Sequence, residues 1–198
     1  VGYLESFASQ MFAGRGTYGW GHNWTGDAWH VQQYAHLQPQ VLYEETINER
    51  QALDACRVLV MPSCDVLPAT VVAKVLEFQK RGGLVIADER LAPVITADIR
   101  IPVYSRTKRA FNDKQELLRR AAGLRAMLDG NYQRYVDTSH PEVIPYRRRF
   151  GKTDYIFLVN DRRVPGDYVG HHGLVMERGL PAEATVTVNR VNGYVYDL

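Results

Sequence analysis

Two stretches of the chain run apolar, 58-VLVMP-62 throughout and 84-LVIAD-88 up to its closing Asp88, and neither shows the alternation of a half-exposed strand. Strands of that kind are buried on both faces, which predicts a parallel sheet covered by helices. The segment between them has a different rhythm. From Ala69 to Lys80 the apolar positions Val71, Val72, Val75, Leu76 and Phe78 fall on one helical face, and Gly82-Gly83 ends the helix. Upstream, 1-VGYLESF-7 and 40-QVLYE-44 read as strands. A helix capped by Thr25 or Asp27 carries Ala28, Val31, Tyr34 and Ala35, and 48-NERQALDAC-56 reads as a short helix. Downstream, Leu117, Leu118, Ala121, Leu124 and Leu128 mark a helix from Asp113, with Arg119, Arg120 and Arg125 on its solvated face and Gly130 closing it.

After about Tyr135 the pattern changes to paired strands. The runs 143-VIPYRRRF-150 and 155-YIFLVN-160 flank the turn 151-GKTD-154, and 184-ATVTVNRV-191 and 194-YVYDL-198 flank Asn192-Gly193, a strong hairpin signal. The expected architecture is α/β: a parallel sheet flanked by helices, flavodoxin-like or class I glutamine amidotransferase-like, with a C-terminal antiparallel β annex. The expected domains are an α/β domain at 1–135 and an antiparallel β segment at 136–198 that starts a further β domain.

The 198 residues, 45% hydrophobic and 23% charged, are enough for a sizeable core. A formal net charge of +2 sets up no field that calls for nucleic acid, and no 18-residue apolar run calls for a membrane. Val1 in place of an initiator Met and the strand-like 194–198 are expected of a piece of a longer protein, so localisation is left open. Cys56 and Cys64 lie either side of an extended strand, too far apart for a disulfide, and are expected as free thiols. Asn23-Trp24-Thr25 is a formal glycosylation sequon.

Candidate chemistry is concentrated near the start. Gly14-x-Gly16-x-x-Gly19 has the spacing of a dinucleotide fingerprint, and Glu44 or Glu45 is placed to imitate its ribose-binding acid. Six residues, 20-WGHNWT-25, separate those glycines from the next helix, which favours a long loop over a phosphate cradle; no cofactor is expected. Trp20, Trp24 and Trp29 fit either a hydrophobic plug or a stacking surface for a sugar. Cys64 follows a buried strand, where a nucleophile can stand. It needs a base, and no histidine occurs between His36 and His140. Adjacent His171 and His172 do not chelate together on a strand, so no metal is expected.

The unit 58-VLVMPSCDVLPATVVAKVLEFQKRGGLVIADERLAP-93 resembles the glutamine amidotransferase-like fold, and more narrowly the trimerisation domain of family 42 β-galactosidases. The likeness lies in a buried strand ending in Pro, an xxLP entry to a helix, a Phe before a basic residue and Gly-Gly, and a second strand. Active members of the wider fold turn from that second strand through Gly-x-Cys-x-Gly. Here the turn is 87-ADERL-91, and Asp88 stands where the thiol would be. An aspartate forms no thioester, so the resemblance implies an accessory or assembly module whose parent carries its catalytic glutamates in a separate barrel.

The resulting expectation is a non-catalytic domain of a larger carbohydrate-active, β-galactosidase-like protein. Its expected partners are other domains of the parent, further copies of itself and carbohydrate. Two rivals stand beside it. One is a sugar-binding module at the strand C-termini built from Trp20, His22, Trp24, Ser63, Asp65, Asp88, Glu89 and Arg90. The other is a hydrolase using Cys64.

Overall fold

The computed structural model describes residues 1–14, 25–103, 110–164, 168–169, 173–174, 178–190 and 192–196. The chain divides into two compact units, one of residues 1–32 and 39–107, the other of residues 33–38 and 108–198.

The first unit is built on a five-stranded, wholly parallel sheet. Its elements run β1 (Gly2–Leu4), α1 (Phe7–Ala13), α2 (Thr25–Tyr34), β2 (Gln40–Leu42), α3 (Glu44–Arg50), a 3-10 turn (Ala52–Ala55), β3 (Val58–Met61), α4 (Ala69–Lys80), β4 (Leu84–Ala87) and β5 (Ile99–Arg100). The spatial order β2-β1-β3-β4-β5 is that of flavodoxin-like sheets. The chain turns to one side after β1 and to the other after β3, so the switch point lies between those two strands. Alternate strand positions serve the two faces. Leu4, Leu42, Leu59, Met61, Val85 and Ala87 pack with Ile47 of α3 and with Val71, Val75 and Phe78 of α4. On the opposite face Tyr3 meets Trp29 of α2 edge-on, with ring centroids 5.4 Å apart and planes at 85°. Trp29 is therefore a packing residue.

The β3–α4–β4 unit forms as its pattern predicts. At its turn Gly82 adopts φ 88°. Gly83 lies so close to Phe78 that a Cβ would stand 2.3 Å from the ring.

Other elements depart from expectation. The first strand stops at Leu4, because Ser6 caps a helix: its Oγ accepts the N–H of Ser9 (3.0 Å). The helix α1 thus occupies residues read as strand and loop. The third helix begins at Glu44 rather than Asn48, with Glu44 and Glu45 in its first turn complementing the helix dipole, and ends where Gln51 turns left-handed. β5 carried no pattern of its own and is reached from β4 without an intervening helix.

The second unit contains α5 (Ala110–Leu128), β6 (Val136–Thr138), β7 (Val143–Phe150), β8 (Thr153–Asn160), β9 (Arg163–Val164), β10 (Tyr168–Val169), β11 (Gly173–Leu174), β12 (Arg178–Gly179) and β13 (Val186–Val188). The buried positions of α5 are Leu117, Ala121, Leu124 and Leu128. β7 and β8 form the expected hairpin, paired from Val143–Asn160 to Phe150–Thr153. β9 pairs antiparallel with β12, and β10 with β11, in two further two-stranded sheets. The Asn192-Gly193 hairpin does not form among the described residues. β13 pairs instead with β6, about fifty residues earlier, and Tyr194, Val195 and Tyr196 stand exposed without strand structure. Non-local pairing overrides the local turn signal here.

Residues 33–38 are held within this unit by polar contacts. His36, buried and left-handed (φ 57°), places Nδ1 2.6 Å from Asp137 Oδ1 and Nε2 3.1 Å from the Pro141 carbonyl. Arg125 donates to both oxygens of Asp137, at 3.0 and 2.5 Å, and Arg134 donates to the Ala35 carbonyl at 2.8 Å.

Candidate functional site

Ligands of open α/β sheets bind beyond the strand C-termini at the switch point. In the first unit that edge is made by Glu5 and Ser6 after β1, Glu44 after β2, residues 62–66 after β3, and Asp88 to Arg90 after β4.

The first feature is how α1 is capped. The N-terminal N–H groups of a helix in this position are the ones that receive phosphate in nucleotide-binding folds. Here Ser6 Oγ takes the N–H of Ser9, and the carboxylate of buried Glu44 takes that of Ala8, at 3.1 and 3.3 Å to its two oxygens. Ser6 in turn donates its hydroxyl proton to Glu44 Oε1 at 2.8 Å. Glu44 is thus engaged with the helix start and is not free to hold a ribose. Gly14 is the left-handed C-cap of α1, at φ 62°, not the end of a strand. Gly16 and Gly19 lie outside the described residues. The glycine spacing is therefore not carried by a strand-to-helix turn at Gly14.

The second feature joins the two sides of the switch point. Ser9 Oγ donates to the Val66 carbonyl (2.7 Å) and accepts the Val66 N–H (3.0 Å). One hydroxyl closes both backbone groups of a residue in the loop after β3. The loop after β1 is thereby fastened to the loop after β3, across the line where a crevice would open.

The third feature is the β3–β4 side. Asp88 is buried, and its Oδ2 accepts both the N–H (2.8 Å) and the hydroxyl (3.1 Å) of Ser63. Its Oδ1 accepts the Arg90 N–H at 2.9 Å. Ser63 is held by these bonds at φ 51°, a conformation that costs a non-glycine residue about 1–2 kcal/mol. Burial raises the pKa of Asp88, while the bonds from Arg90 and Ser63 work the other way. Glu89 accepts the N–H of Val103 at 3.1 Å, and among the described residues Arg90 Nη1 is buried without a partner.

Cys64 is wholly enclosed in the core cluster, with its thiol donating to the Pro62 carbonyl at 3.4 Å. Burial first, and then the carboxylates of Asp88, Glu5, Glu44 and Asp65, push its pKa well above the ordinary value. Every influence acting on this sulfur favours the neutral thiol. Cys56 is also free.

Ser63, Asp65, Asp88, Glu89 and Arg90 are therefore gathered at one sheet edge, whereas Trp20, His22 and Trp24, and likewise His171 and His172, lie outside the described residues. Ser6 and Ser9 are the part of the edge that sequence reading missed, and Glu44, read there as a possible ribose-binding acid, is instead part of the helix cap. The signal available was local: serine is a preferred N-cap residue, and Ser6 stands just ahead of a non-strand run. Among the described residues, no group of three or more His, Cys, Asp and Glu side chains is placed to hold a metal, and no helix is long and apolar enough to cross a membrane. A shallow hollow beside Asp54, Lys74, Glu77 and Arg81 lies at the ends of α3 and α4, away from the strand C-termini, and Arg81 there is already paired with Asp54 at 2.7 Å.

Compared with family models, with curated proteins and with solved structures, the chain finds no match.

Proposed function

We propose that this chain is a non-catalytic accessory or assembly module of a larger, carbohydrate-active protein. The observation that carries the non-catalytic part is the self-closure of the switch point. The donors and acceptors that a flavodoxin-like sheet offers to a ligand there are spent on one another: Ser9 on Val66, Ser6 and Glu44 on the start of α1, Asp88 on Ser63 and Arg90. The thiol nearest the edge is sealed and held protonated. A nucleophile needs an exposed, activated atom, and the enclosed, protonated sulfur of Cys64 counts against that role. The carbohydrate context comes from the resemblance of residues 58–93 to β-galactosidase trimerisation domains. The test is an assay of the purified chain for glutaminase, esterase and glycosidase turnover. Silence in all three is expected, and robust turnover abolished by one substitution in the chain overturns the reading.

A second reading, a sugar-contacting edge, has one observation in its favour. Arg90 Nη1 is a buried donor with no acceptor among the described residues. A sugar hydroxyl supplies an acceptor and a donor together. Titration of mono- and oligosaccharides followed by tryptophan fluorescence tests it; an Arg90-dependent change supports the reading, and an unchanged spectrum to millimolar sugar removes it.

A further inference from the structure

Among the described residues, the β7–β8 hairpin leaves the edge of β8 open. At its base the Asp161 N–H donates to the Glu142 carbonyl at 2.8 Å. Antiparallel ladders alternate between pairs that exchange hydrogen bonds and pairs that do not. With the observed register, Tyr155, Phe157 and Val159 turn their N–H and C=O groups toward β7, and Ile156 and Leu158 turn theirs away. Arg147, opposite Ile156, shows the same phase from the other strand: its N–H points away from β8 and donates to Gln38 Oε1 at 3.0 Å. Among the described residues β8 has no second neighbouring strand, and the outward backbone groups of Ile156 and Leu158 meet no partner.

The side chains tell the same story. Tyr155, Phe157 and Val159 on one face are 41, 55 and 47% exposed, and Leu158 on the other is 48% exposed. Between Asp154 and Asp161 the strand carries no charge, no proline and no lysine, the usual protections of an edge. A two-stranded hairpin is marginal alone, and a sheet of three or more strands is stable.

We propose that β8 pairs antiparallel with β8 of a second copy of this chain, joining two hairpins into a four-stranded sheet. The pairing is self-complementary. Centred on Phe157, it sets Ile156 opposite Leu158 of the second copy, each pair exchanging both of its hydrogen bonds. Tyr155 then faces Val159, and the two Phe157 side chains meet in a non-hydrogen-bonded pair, where side chains approach most closely. The charges are compatible. Asp154 meets the neutral Asn160, and its carboxylate is already balanced by Arg147 (2.7 Å) and Arg190 (3.1 Å). One strand from each copy buries less than the roughly 1,000 Å² of a stable interface, so the association is weak and concentration-dependent unless other parts of a parent protein add to it.

The inference deepens the assembly role proposed above and rests on it for its purpose, but the two fail separately. Catalytic turnover would overturn that role and leave the pairing intact, whereas a strictly monomeric chain would remove the pairing and leave the non-catalytic reading standing. The experiment is sedimentation velocity on the full chain from low micromolar to submillimolar concentration, with residue-resolved hydrogen exchange at both ends of the range. The expected result is a rising sedimentation coefficient and at least tenfold slower exchange at Ile156 and Leu158 at high concentration, with Tyr155 and Phe157 unchanged. Leu158→Pro removes an N–H that the hairpin itself does not use, and Ile156→Lys places a charge on the edge; both should stay monomeric with an unaltered circular dichroism spectrum. A wild-type chain that is monomeric throughout, or a dimer whose Ile156 and Leu158 amides exchange as fast as in the monomer, overturns the proposal. Should both variants unfold, wild-type exchange alone decides between these results.

Discussion

Ser9 closes both backbone groups of Val66, accepting its N–H at 3.0 Å and donating to its carbonyl at 2.7 Å, across fifty-seven positions of sequence. No other single side chain described at the strand edge joins the two loops of the switch point so fully. It makes that region a closed seam, and it makes Ser9 a test of how much the seam contributes to stability.

Replacing Ser9 by Ala leaves the part-buried N–H of Val66 without its partner and the Val66 carbonyl with only the longer bond from the Ser6 hydroxyl, at 3.3 Å. An orphaned buried polar group costs about 1–3 kcal/mol. The expected outcome of Ser9→Ala is a loss of about 1–3 kcal/mol in urea unfolding, seen as a lower midpoint at unchanged slope. A change under about 0.5 kcal/mol would mean that water replaces the hydroxyl and that the seam is not structural.

Cys64 should resist alkylation in the folded chain. Its sulfur is enclosed, and burial together with four neighbouring carboxylates holds it protonated. Labelling is expected to wait on unfolding, so that its rate follows denaturant rather than thiolate fraction, while the half-buried Cys56 reacts first. A rate that rises through an inflection below about pH 8 in native buffer would show an activated, accessible thiol and revive the hydrolase reading.

The parallel sheet was legible because its central unit obeys every local rule at once. Val58 to Met61 and Leu84 to Ala87 are continuous and apolar, and the helix between them ends in two glycines that the turn requires. α1 was not legible because its residues mark no core face: Phe7, Met11 and Phe12 are exposed, and only Ser9 is buried. The tail failed for the opposite reason. Asn192-Gly193 is a strong local signal, but Val186 to Val188 find their partner in Val136 to Thr138, a choice no window of sequence contains. The candidate edge divides in the same way. Ser63, Asp88 and Arg90 sit just after recognisable strands and were named, whereas Ser6 and Ser9 were not, and they meet Glu44 only through the strand order β2-β1-β3.

The Gly82-Gly83 turn separates two costs that adjacent glycines usually confound. Alanine at Gly82 meets no atom within 4 Å but must hold φ 88°, so Gly82→Ala should cost about 1–2 kcal/mol through backbone strain alone. Alanine at Gly83 collides with the Phe78 ring, and overpacking of this kind costs about 1–3 kcal/mol. Thermal or urea unfolding of the double variant Phe78→Leu with Gly83→Ala distinguishes them: its loss should be smaller than the sum of the singles, whereas Phe78→Leu with Gly82→Ala should be additive. Additivity in both pairs would mean that the ring moves aside without cost.

The last prediction concerns pH and the second unit. Burial acts to raise the pKa of Asp137, but hydrogen bonds from Arg125 and His36 outweigh it and hold the carboxyl at about 2, below its ordinary 3.8. A folded-state pKa below the unfolded one means that the unfolded chain takes up the proton first. The contribution is therefore fully present above pH 3.8 and disappears as pH falls from there through about 2. The carboxylate is still partly open to solvent, so its screened value at neutral pH is about 1–2 kcal/mol, less than the full shift implies. Asp137→Asn should remove that increment at pH 7 and flatten the fall in stability between pH 4 and pH 2, measured by urea midpoints across the range. His36 adds a separate limb. Burial lowers its pKa from 6.5, so stability should also decline as pH drops below that value, and His36→Gln should abolish this decline and, by removing one of the bonds that hold Asp137 low, make the fall below pH 4 smaller. If Asp137→Asn shifts the midpoint equally at pH 7 and pH 2, the carboxylate contributes packing rather than charge, and the ion pair with Arg125 is not what holds residues 33–38 in place.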